Sequence, residues 1–223
     1  MQTQAQHGGM SNRFRQHQHI CALYESEEEQ QGMASEYLAD GLRRGERCIY
    51  CARSPTALEQ LRAALTAAGI DVERMIGRGA LVERTHADTY VVNGCFDTDR
   101  VLGLLNKSVE SALNRGFLGL RTCGDMSWLV AGPLGSTQLV EYEALLNQRF
   151  RSVPAAGMCQ YDRRRVPAHQ LDHALTTHSS VLLEGHHRLN PFYRAPGIAM
   201  RRPAQPHKVE WKITELRHAR LKI

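Results

Sequence analysis

The strongest constraint on the fold of this chain is a regular alternation of short, β-rich runs with longer helical patterns. Such alternation predicts a mostly parallel sheet with helices packed on its faces, which is an α/β fold. Gly45, Gly69 and Gly116 stand where helices are expected to end, because glycine readily adopts the left-handed conformation found there. The predicted strands are 19–24, 47–52, 80–85, 117–123, 155–162 and 180–185, and the predicted helices are 27–44, 56–68, 98–115, 136–150 and 167–177.

The chain has 223 residues and can bury one substantial core, so a single domain with terminal extensions is expected. We predict a disordered N-terminal tail at 1–17, a main domain at 18–193, a Pro-rich linker at 194–206 and a basic amphipathic helix at 207–223. The apolar stripe of this helix consists of Val209, Ile213, Leu216 and Ile223, with Arg220 on the same seam. Two interpretations stay open: the stripe packs on the chain's own core, or it dimerises or relays a signal to a partner.

The formal net charge of +5 comes from the two ends of the chain. Residues 19–193 hold 18 basic and 21 acidic residues, whereas residues 194–223 hold eight basic residues against two glutamates. The main domain is therefore mildly acidic, which argues against direct nucleic-acid binding by the core. The polar first 18 residues lack the apolar segment of a signal peptide, and no run reaches the roughly 18 apolar residues of a membrane span. We therefore expect a cytoplasmic location and no membrane contact.

Motifs of common α/β enzymes are missing from the sequence. It contains no phosphate-binding G-x-x-x-x-G-K-[ST], no dinucleotide-binding G-x-G-x-x-G after the first strand and no G-x-S-x-G nucleophile motif. We therefore predict that the protein is not an enzyme, and we assign it no cofactor.

The six cysteines are too dispersed for a disulfide framework and are expected to be reduced. His19 and Cys21 face the same way if 19–24 is a strand, and an imidazole and a thiolate are good ligands for a borderline-soft metal ion. Two ligands do not make a site, so we interpret the cysteines as small core residues and assign no metal. A redox or metal sensor that uses Cys21, His19 and Cys123 stays as an alternative.

Side chains with useful chemistry concentrate at the carboxyl ends of the predicted strands, where ligands of open α/β sheets bind. The most specific pattern is GDMSW at 124–128, which follows the fourth predicted strand. It places a carboxylate beside a thioether, a hydroxyl and an indole. Polar and large apolar groups side by side are typical of a small-molecule pocket. The sequence therefore predicts a ligand site at this edge of the sheet.

Eight short motifs extend this interpretation. They are HICALYE (19–25), GLRRGERCIY (41–50), TY (89–90), FD (96–97), GDMSW (124–128), EYE (141–143), CQYD (159–162) and NPFY (190–193). In order and spacing they resemble the MEDS domain, a sensory domain named for methanogens, methylotrophs and the dichloromethane-dehalogenase regulator. The resemblance covers residues 17–193.

The resemblance implies a RecA- or KaiC-like fold without the phosphate loop. It also implies a role in sensing small organic molecules and in passing the signal to histidine kinases or transcription regulators. One departure from the family is Asp125, where a glutamate is usual, and the shorter side chain withdraws the carboxylate from a ligand. His19 is interpreted as a structural hydrogen-bonding residue. The candidate ligand-binding residues are Cys21, Tyr24, Tyr90, Cys123, Asp125, Met126, Trp128, Gln160 and Tyr161.

We therefore predict a non-enzymatic sensory domain that binds a small organic molecule at the carboxyl edge of the sheet. Its expected partner is a signalling or transcription-regulatory protein, and a homodimer is a further possible assembly. The alternative to a sensor, besides the redox or metal sensor, is a protein-interaction module. Such a module would act through the C-terminal helix, for example as an antagonist of a kinase or sigma factor.

Overall fold

The computed structural model describes residues 13–218, and within this range a seven-stranded sheet forms the centre of the molecule. Its strand order is β3-β2-β6-β7-β1-β8-β9, and all neighbours are parallel except β8 and β9. β4 and β5 form a separate antiparallel hairpin. The strands are β1 His19–Tyr24, β2 Arg47–Ala52, β3 Leu81–Thr85, β4 Val91–Val92, β5 Cys95–Phe96, β6 Leu120–Asp125, β7 Ala155–Asp162, β8 Ser180–Leu183 and β9 His186–Leu189.

Helices cover both faces of this sheet, which confirms the α/β prediction. Ser26 and Asp97 cap α1 and α5, each accepting a hydrogen bond from the backbone N–H three residues later. Gly45, Gly69 and Gly116 have φ values of 75°, 79° and 80° just after helices, as predicted. The helices are α1 Glu27–Arg43, α2 Pro55–Ala67, α3 Val72–Gly77, α4 His86–Thr89, α5 Thr98–Asn114, α6 Leu139–Ser152, α7 Ala168–Thr177, α8 Pro196–Ala199 and α9 Val209–His218.

The two faces of the sheet carry separate apolar cores. Alternate residues of β1 show the division, since Ile20, Ala22 and Tyr24 belong to one core and Cys21 and Leu23 to the other. We call the first the α1 face, which α1, α2 and α3 cover, and the second the α6 face, which α5, α6, α7 and α9 cover. Every residue of β1 is buried, as expected for a central strand of a parallel sheet.

A buried ion-pair network reinforces the α1 face. Arg121 of β6 is fully buried and donates to Glu46 at 2.6 Å, to Asp40 at 3.0 Å and to the backbone carbonyl of Tyr37 at 3.0 Å. α1 can approach this guanidinium because residue 41 is glycine. A Cβ at Gly41 would lie 2.7 Å from Arg121 Cδ, which is closer than real contacts allow. The GLRRGERCIY motif is therefore a packing motif at this position.

The C-terminal helix packs on the chain's own core. Val209, Ile213 and Leu216 are at most 2% exposed and belong to the core of the α6 face. Asp172 of α7 accepts a hydrogen bond from Lys212 of α9 at 2.6 Å. The structure therefore agrees with the first interpretation of this stripe, in which the helix packs on the chain's own core. Ile223 and Arg220 lie outside the described residues.

The segments before and after the main domain are also held by contacts. Phe14 is 1% exposed and stacks edge-on against Tyr37 at 5.1 Å, so the predicted disordered tail is wrong for residues 13–17. Residues 1–12 lie outside the described range. In the Pro-rich segment, Ala199 of α8 is buried, and Asp172 accepts hydrogen bonds from the side chain of Arg202 and the backbone of Gln205. This segment follows the surface of α7 and is not a free spacer.

Candidate functional site

A depression in the α6 face lies over the centre of the sheet, because five neighbouring positions carry small side chains. Cys51 of β2, Gly124 of β6 and Cys159 of β7 are in direct register, and Thr122 is in register with Gly157 one pleat earlier. We call these five residues the floor. Larger side chains would normally fill the space between a sheet and its helices. The small floor residues leave part of this space open.

The open space is a cavity of about 80 Å³ between the floor and helices α5 and α6. Its roof is mainly apolar, and Ser108 is the polar side chain that α5 adds to it. Ile49 and Thr122 keep some solvent exposure although they lie in the middle of interior strands, so the cavity opens to the outside. The roof residues are Val101, Leu104, Leu105, Ser108, Tyr142, Leu146 and Phe150.

Tyr90 closes the end of the cavity nearest the carboxyl ends of the strands, and two further aromatic rings stack behind it. Tyr90 stacks on Trp128 with ring centroids 5.6 Å apart, and Trp128 stacks on Phe96 at 4.9 Å. The Tyr90 hydroxyl lies directly over Gly124, where a Cβ would overlap it. Residue 124 must therefore be glycine for Tyr90 to occupy this position. The GDMSW motif thus positions Tyr90, because its glycine makes room for the hydroxyl and its indole stacks on the ring.

A fully buried polar cluster lies beside the floor. Glu143 of α6 is 1% exposed, and its Oε1 accepts a hydrogen bond from the Tyr161 hydroxyl at 2.6 Å. Its Oε2 lies 3.1 Å from His19 Nε2 and 3.4 Å from His178 Nε2. Cys159 Sγ lies 3.5 Å from His19 Nε2 and 3.8 Å from Glu143 Oε2. We call His19, Glu143, Cys159 and His178 the Glu143 cluster.

The electrostatics of this cluster keep Glu143 ionised. Burial alone would raise the pKa of this carboxyl, but His178, His19 and Tyr161 hold the pKa at about 2. Burial, together with the neighbouring His19, lowers the pKa of His178. The protein therefore stabilises a buried carboxylate through the hydrogen bonds and the electrostatic attraction of the side chains around it.

The nine candidate ligand-binding residues are divided between the two faces. Cys21 and Tyr161 pack on the α6 face, whereas Tyr24 and Cys123 belong to the core of the α1 face. The Gln160 side chain also points to α1, where it donates to the backbone carbonyl of Gln30 at 2.9 Å. Tyr90 is the one of the nine whose side chain lines the cavity, whereas Cys123 borders the cavity from β6 although its side chain belongs to the α1 face. The others surround it or lie beyond the sheet.

The remaining candidates form the turn after β6. Asp125 is fully buried, and its Oδ1 accepts a hydrogen bond from the backbone N–H of Ser127 at 2.8 Å, which fixes the turn. Met126 is also fully buried and packs in the α6-face core beside Trp128. These three side chains therefore support the cavity wall more than they contact the cavity itself.

The predicted redox or metal set of Cys21, His19 and Cys123 is not brought together. Cys123 pairs in register with Met158, which pairs with Ile20, so its side chain faces away from that of Cys21. All six cysteines are free thiols. Burial raises the pKa of Cys21 and of Cys123 well above the usual value, so neither carries the thiolate that redox chemistry needs.

Three members of the Glu143 cluster were not among the candidate residues, namely Glu143, Cys159 and His178. Glu143 has a signal in the sequence, since it lies four residues after Leu139 and three before Leu146 on the apolar stripe of α6. A carboxylate on a buried stripe needs a partner, and this argument could have identified it. The partner His178 ends α7, and sequence spacing does not reveal that it meets His19.

The first turn of α1, directly after β1, is acidic. Ser26 caps the helix, and Glu27, Glu28 and Glu29 follow in its first turn. The Glu29 carboxylate also accepts a hydrogen bond from the backbone N–H of Glu25 at 2.9 Å. A helix N-terminus at this place could bind a phosphate group. Here the chain's own carboxylates fill it and repel anions, which agrees with the missing phosphate-loop motif.

Comparison with known proteins finds similar sequences and a similar structure. A family model described as the methanogen/methylotroph, DcmR sensory domain, abbreviated MEDS, matches residues 18–179. The transcriptional repressor DcmR of Methylorubrum extorquens is 27% identical over 170 residues, which cover 74% of this chain and 59% of the repressor. A KaiC-like protein of Pyrococcus horikoshii is 13% identical, with a TM-score of 0.48 over 67% of this chain and 62% of that one. Among the described residues, no helix is both long and apolar enough to cross a membrane.

Proposed function

The chain belongs to the MEDS family of sensory domains, and from this premise we propose that it binds a small organic molecule in the cavity above the floor. Binding would regulate a signalling or transcription partner. The sensory and regulatory role follows from the family, whereas the ligand, its site and the partner are the proposal. A non-enzymatic role and a cytoplasmic location are part of the same proposal.

The size and lining of the cavity support this proposal most directly. A cavity of about 10–15 Å³ holds one water molecule, and one of about 150 Å³ holds benzene. The cavity of about 80 Å³ therefore suits a molecule smaller than benzene, with a few heavy atoms. Its lining is mostly apolar, and its polar groups, which could orient a ligand, include Arg84 and Thr89 as well as the hydroxyls of Tyr90, Ser108 and Thr122. Short-chain halocarbons, alcohols and aldehydes meet both conditions.

The aromatic wall offers a way to transmit binding. A ligand shifts a conformational equilibrium only if it binds one conformation more tightly than another. Tyr90 contacts both the cavity and Trp128, so a ligand that displaces the Tyr90 ring must also alter the turn that follows β6. The output partner is a proposal from the repressor relative, and this chain spans 59% of the length of that relative.

The test is a binding screen read out by Trp128. Trp211 on α9 is 53% exposed, and Trp211→Phe leaves Trp128 as the single reporter, since the chain contains two tryptophans. We expect at least one small apolar compound to raise the melting temperature of the protein and to change the emission of Trp128. The dissociation constants derived from the two signals should agree. The cavity volume limits the ligand to about four heavy atoms. If no halocarbon, alcohol or aldehyde of this size changes either signal, the proposal is wrong.

Two serines on α5 provide a matched pair of variants. Ser108 lines the cavity, whereas Ser111, on the next turn of the same helix, accepts a hydrogen bond from Arg47 at 2.9 Å outside it. Ser108→Leu fills part of the cavity and should weaken ligand binding at least tenfold. Ser111→Leu makes the same chemical change and should leave the affinity unaltered. Equal effects of the two variants would contradict binding in this cavity.

A further inference from the structure

His178 turns one ring nitrogen into the Glu143 cluster. Its Nδ1 lies 2.8 Å from the carbonyl oxygen of Ala174, which can only accept, so Nδ1 carries a proton and donates it there. Nε2 has no hydrogen-bond partner among the described residues, and it faces Oε2 of Glu143 at 3.4 Å. Nε2 is therefore the atom through which His178 could bind an ion that Glu143 also holds.

Four of the six distances among the ligand atoms are close to those around one tetrahedral metal ion. With Zn–N and Zn–O near 2.0–2.1 Å and Zn–S near 2.3 Å, ligand atoms lie about 3.3 Å apart, or about 3.6 Å where sulfur is one of them. The two distances from Glu143 Oε2 to histidine nitrogen are 3.1 and 3.4 Å. The distances from Cys159 Sγ to His19 Nε2 and to Glu143 Oε2 are 3.5 and 3.8 Å. All four ligand atoms lie within 4.8 Å of one another.

The surroundings of the cluster orient His178 and Glu143 as metal sites require. Metal-binding histidines donate their other ring N–H to a backbone carbonyl or carboxylate, as His178 does to Ala174. The Tyr161 hydroxyl holds Oε1 of Glu143 and leaves Oε2 to face the two imidazoles. A divalent ion with the Cys159 thiolate and the Glu143 carboxylate gives a site with no net charge, which suits full burial.

We propose that His19, Glu143, Cys159 and His178 bind a single divalent transition-metal ion of the zinc class. Two imidazoles, one thiolate and one carboxylate suit Zn²⁺ and Co²⁺, whereas Ca²⁺ and Mg²⁺ require six or more oxygen ligands. Four protein ligands close the coordination sphere, so the ion has a structural or regulatory role. Cys159 also belongs to the floor of the cavity, which gives the ion an entry path and places the metal beside the bound molecule.

The first experiment uses the whole chain, purified without a histidine tag and treated with a chelator. Titration with Zn²⁺ should show one tight equivalent, with an increase in melting temperature. Titration with Co²⁺ should give the visible absorption of a tetrahedral ion and a thiolate-to-cobalt charge-transfer band near the ultraviolet. Retention of neither ion at one equivalent, or a cobalt spectrum without thiolate bonding, overturns the proposal.

Two cysteines in direct register provide the matched control. Cys21 and Cys159 are paired neighbours on β1 and β7, both fully buried on the same face, and Cys159 is the one with a ligand atom in the cluster. Cys159→Ala should abolish the charge-transfer band, whereas Cys21→Ala should keep the band and the stoichiometry. Tyr161→Phe leaves all four ligands in place and should weaken metal binding about 10–100-fold. A band that survives Cys159→Ala, or is lost equally in Cys21→Ala, excludes this site.

Metal binding and binding in the cavity can be tested separately. The organic screen can be run on chelator-treated protein, and the metal titration needs no organic ligand. A failed screen with one bound Co²⁺ would leave the metal site standing and reject the proposed sensor cavity. The reverse result would reject the metal site alone. Glu143→Gln provides a further variant, since it keeps the shape of the side chain, removes its charge, and should prevent the ion from binding.

Discussion

Removal of the Arg121 guanidinium should destabilise the protein far more than removal of any surface ion pair. Arg121 is fully buried, and the side chains of Glu46 and Asp40, which it bridges, are only 5% and 11% exposed. Arg121→Met keeps much of the side-chain volume but removes the counter-charge of Glu46 and one of the two ion-pair partners of Asp40, which keeps Arg44. Breaking a buried ion pair in this way costs about 3–5 kcal/mol. A typical domain has a total stability of about 5–15 kcal/mol, so a large fraction is lost.

The assay is urea denaturation followed by circular dichroism. With an m-value near the upper end of about 1–3 kcal/mol/M, the midpoint of Arg121→Met should fall by about 1–2 M. Arg62 provides the control, because its ion pair with Glu83 is 45% exposed on the arginine side. Arg62→Met should cost less than about 1 kcal/mol.

A triple variant distinguishes the loss of the ion-pair attraction from the cost of leaving an unpaired carboxylate buried. Arg121→Met combined with Glu46→Gln and Asp40→Asn removes the network without leaving a buried charge, so it should recover most of the stability lost by Arg121→Met. If Arg121→Met costs no more than Arg62→Met, or if the triple variant is as unstable as the single one, the reasoning about this network is refuted.

Two further predictions concern the cavity wall and the C-terminal helix. Gly124→Ala places a methyl group on the Tyr90 hydroxyl, so it should cost about 1–3 kcal/mol and weaken ligand binding in a calorimetric titration. Burial would raise the pKa of Asp172, but Lys212 and neighbouring donors lower it overall. The contribution of this carboxylate to folding stability is therefore complete above about pH 4, and it is lost as the pH falls through the pKa of the folded state. Acid should therefore detach α9, which would be seen as a change in Trp211 emission. Asp172→Asn should abolish this acid transition, and an unaltered transition in the variant would contradict the role of Asp172.

The long elements of the fold could be predicted from the sequence. The bounds of β1, β2 and β7 agree with the prediction because buried parallel strands are continuous apolar runs. The hairpin of β4 and β5, the edge strand β9 and the helix α3 were not predicted, since they are too short for a period to show. The predicted strand at 180–185 in fact ends at Leu183, because residues 184 and 185 both have positive φ and turn the chain back into β9.

The site could be predicted only in part. Period-two alternation correctly places His19 and Cys21 on one face of β1 and Tyr24 on the other. The carboxyl-edge rule groups residues by strand end but does not tell which face each one occupies, so Tyr24 and Tyr90 entered one candidate site although they belong to different cores. The five floor residues are neighbours only because of the register between β2, β6 and β7. The register of parallel strands joined by long crossover connections cannot be derived from the local sequence, so the floor could not be predicted.

The two faces of the sheet separate stability from binding, and this separation can be measured. Arg121 and Gly124 are three residues apart on β6, so they are about 10 Å apart along the strand and face opposite sides. Sites at this distance without shared partners have additive effects within about 0.5 kcal/mol. The double variant Arg121→Met/Gly124→Ala should therefore lose the sum of the two single losses in urea denaturation. Coupling above about 1 kcal/mol would mean that β6 transmits strain between the faces, so that a ligand in the cavity could act on the α1 face through this strand.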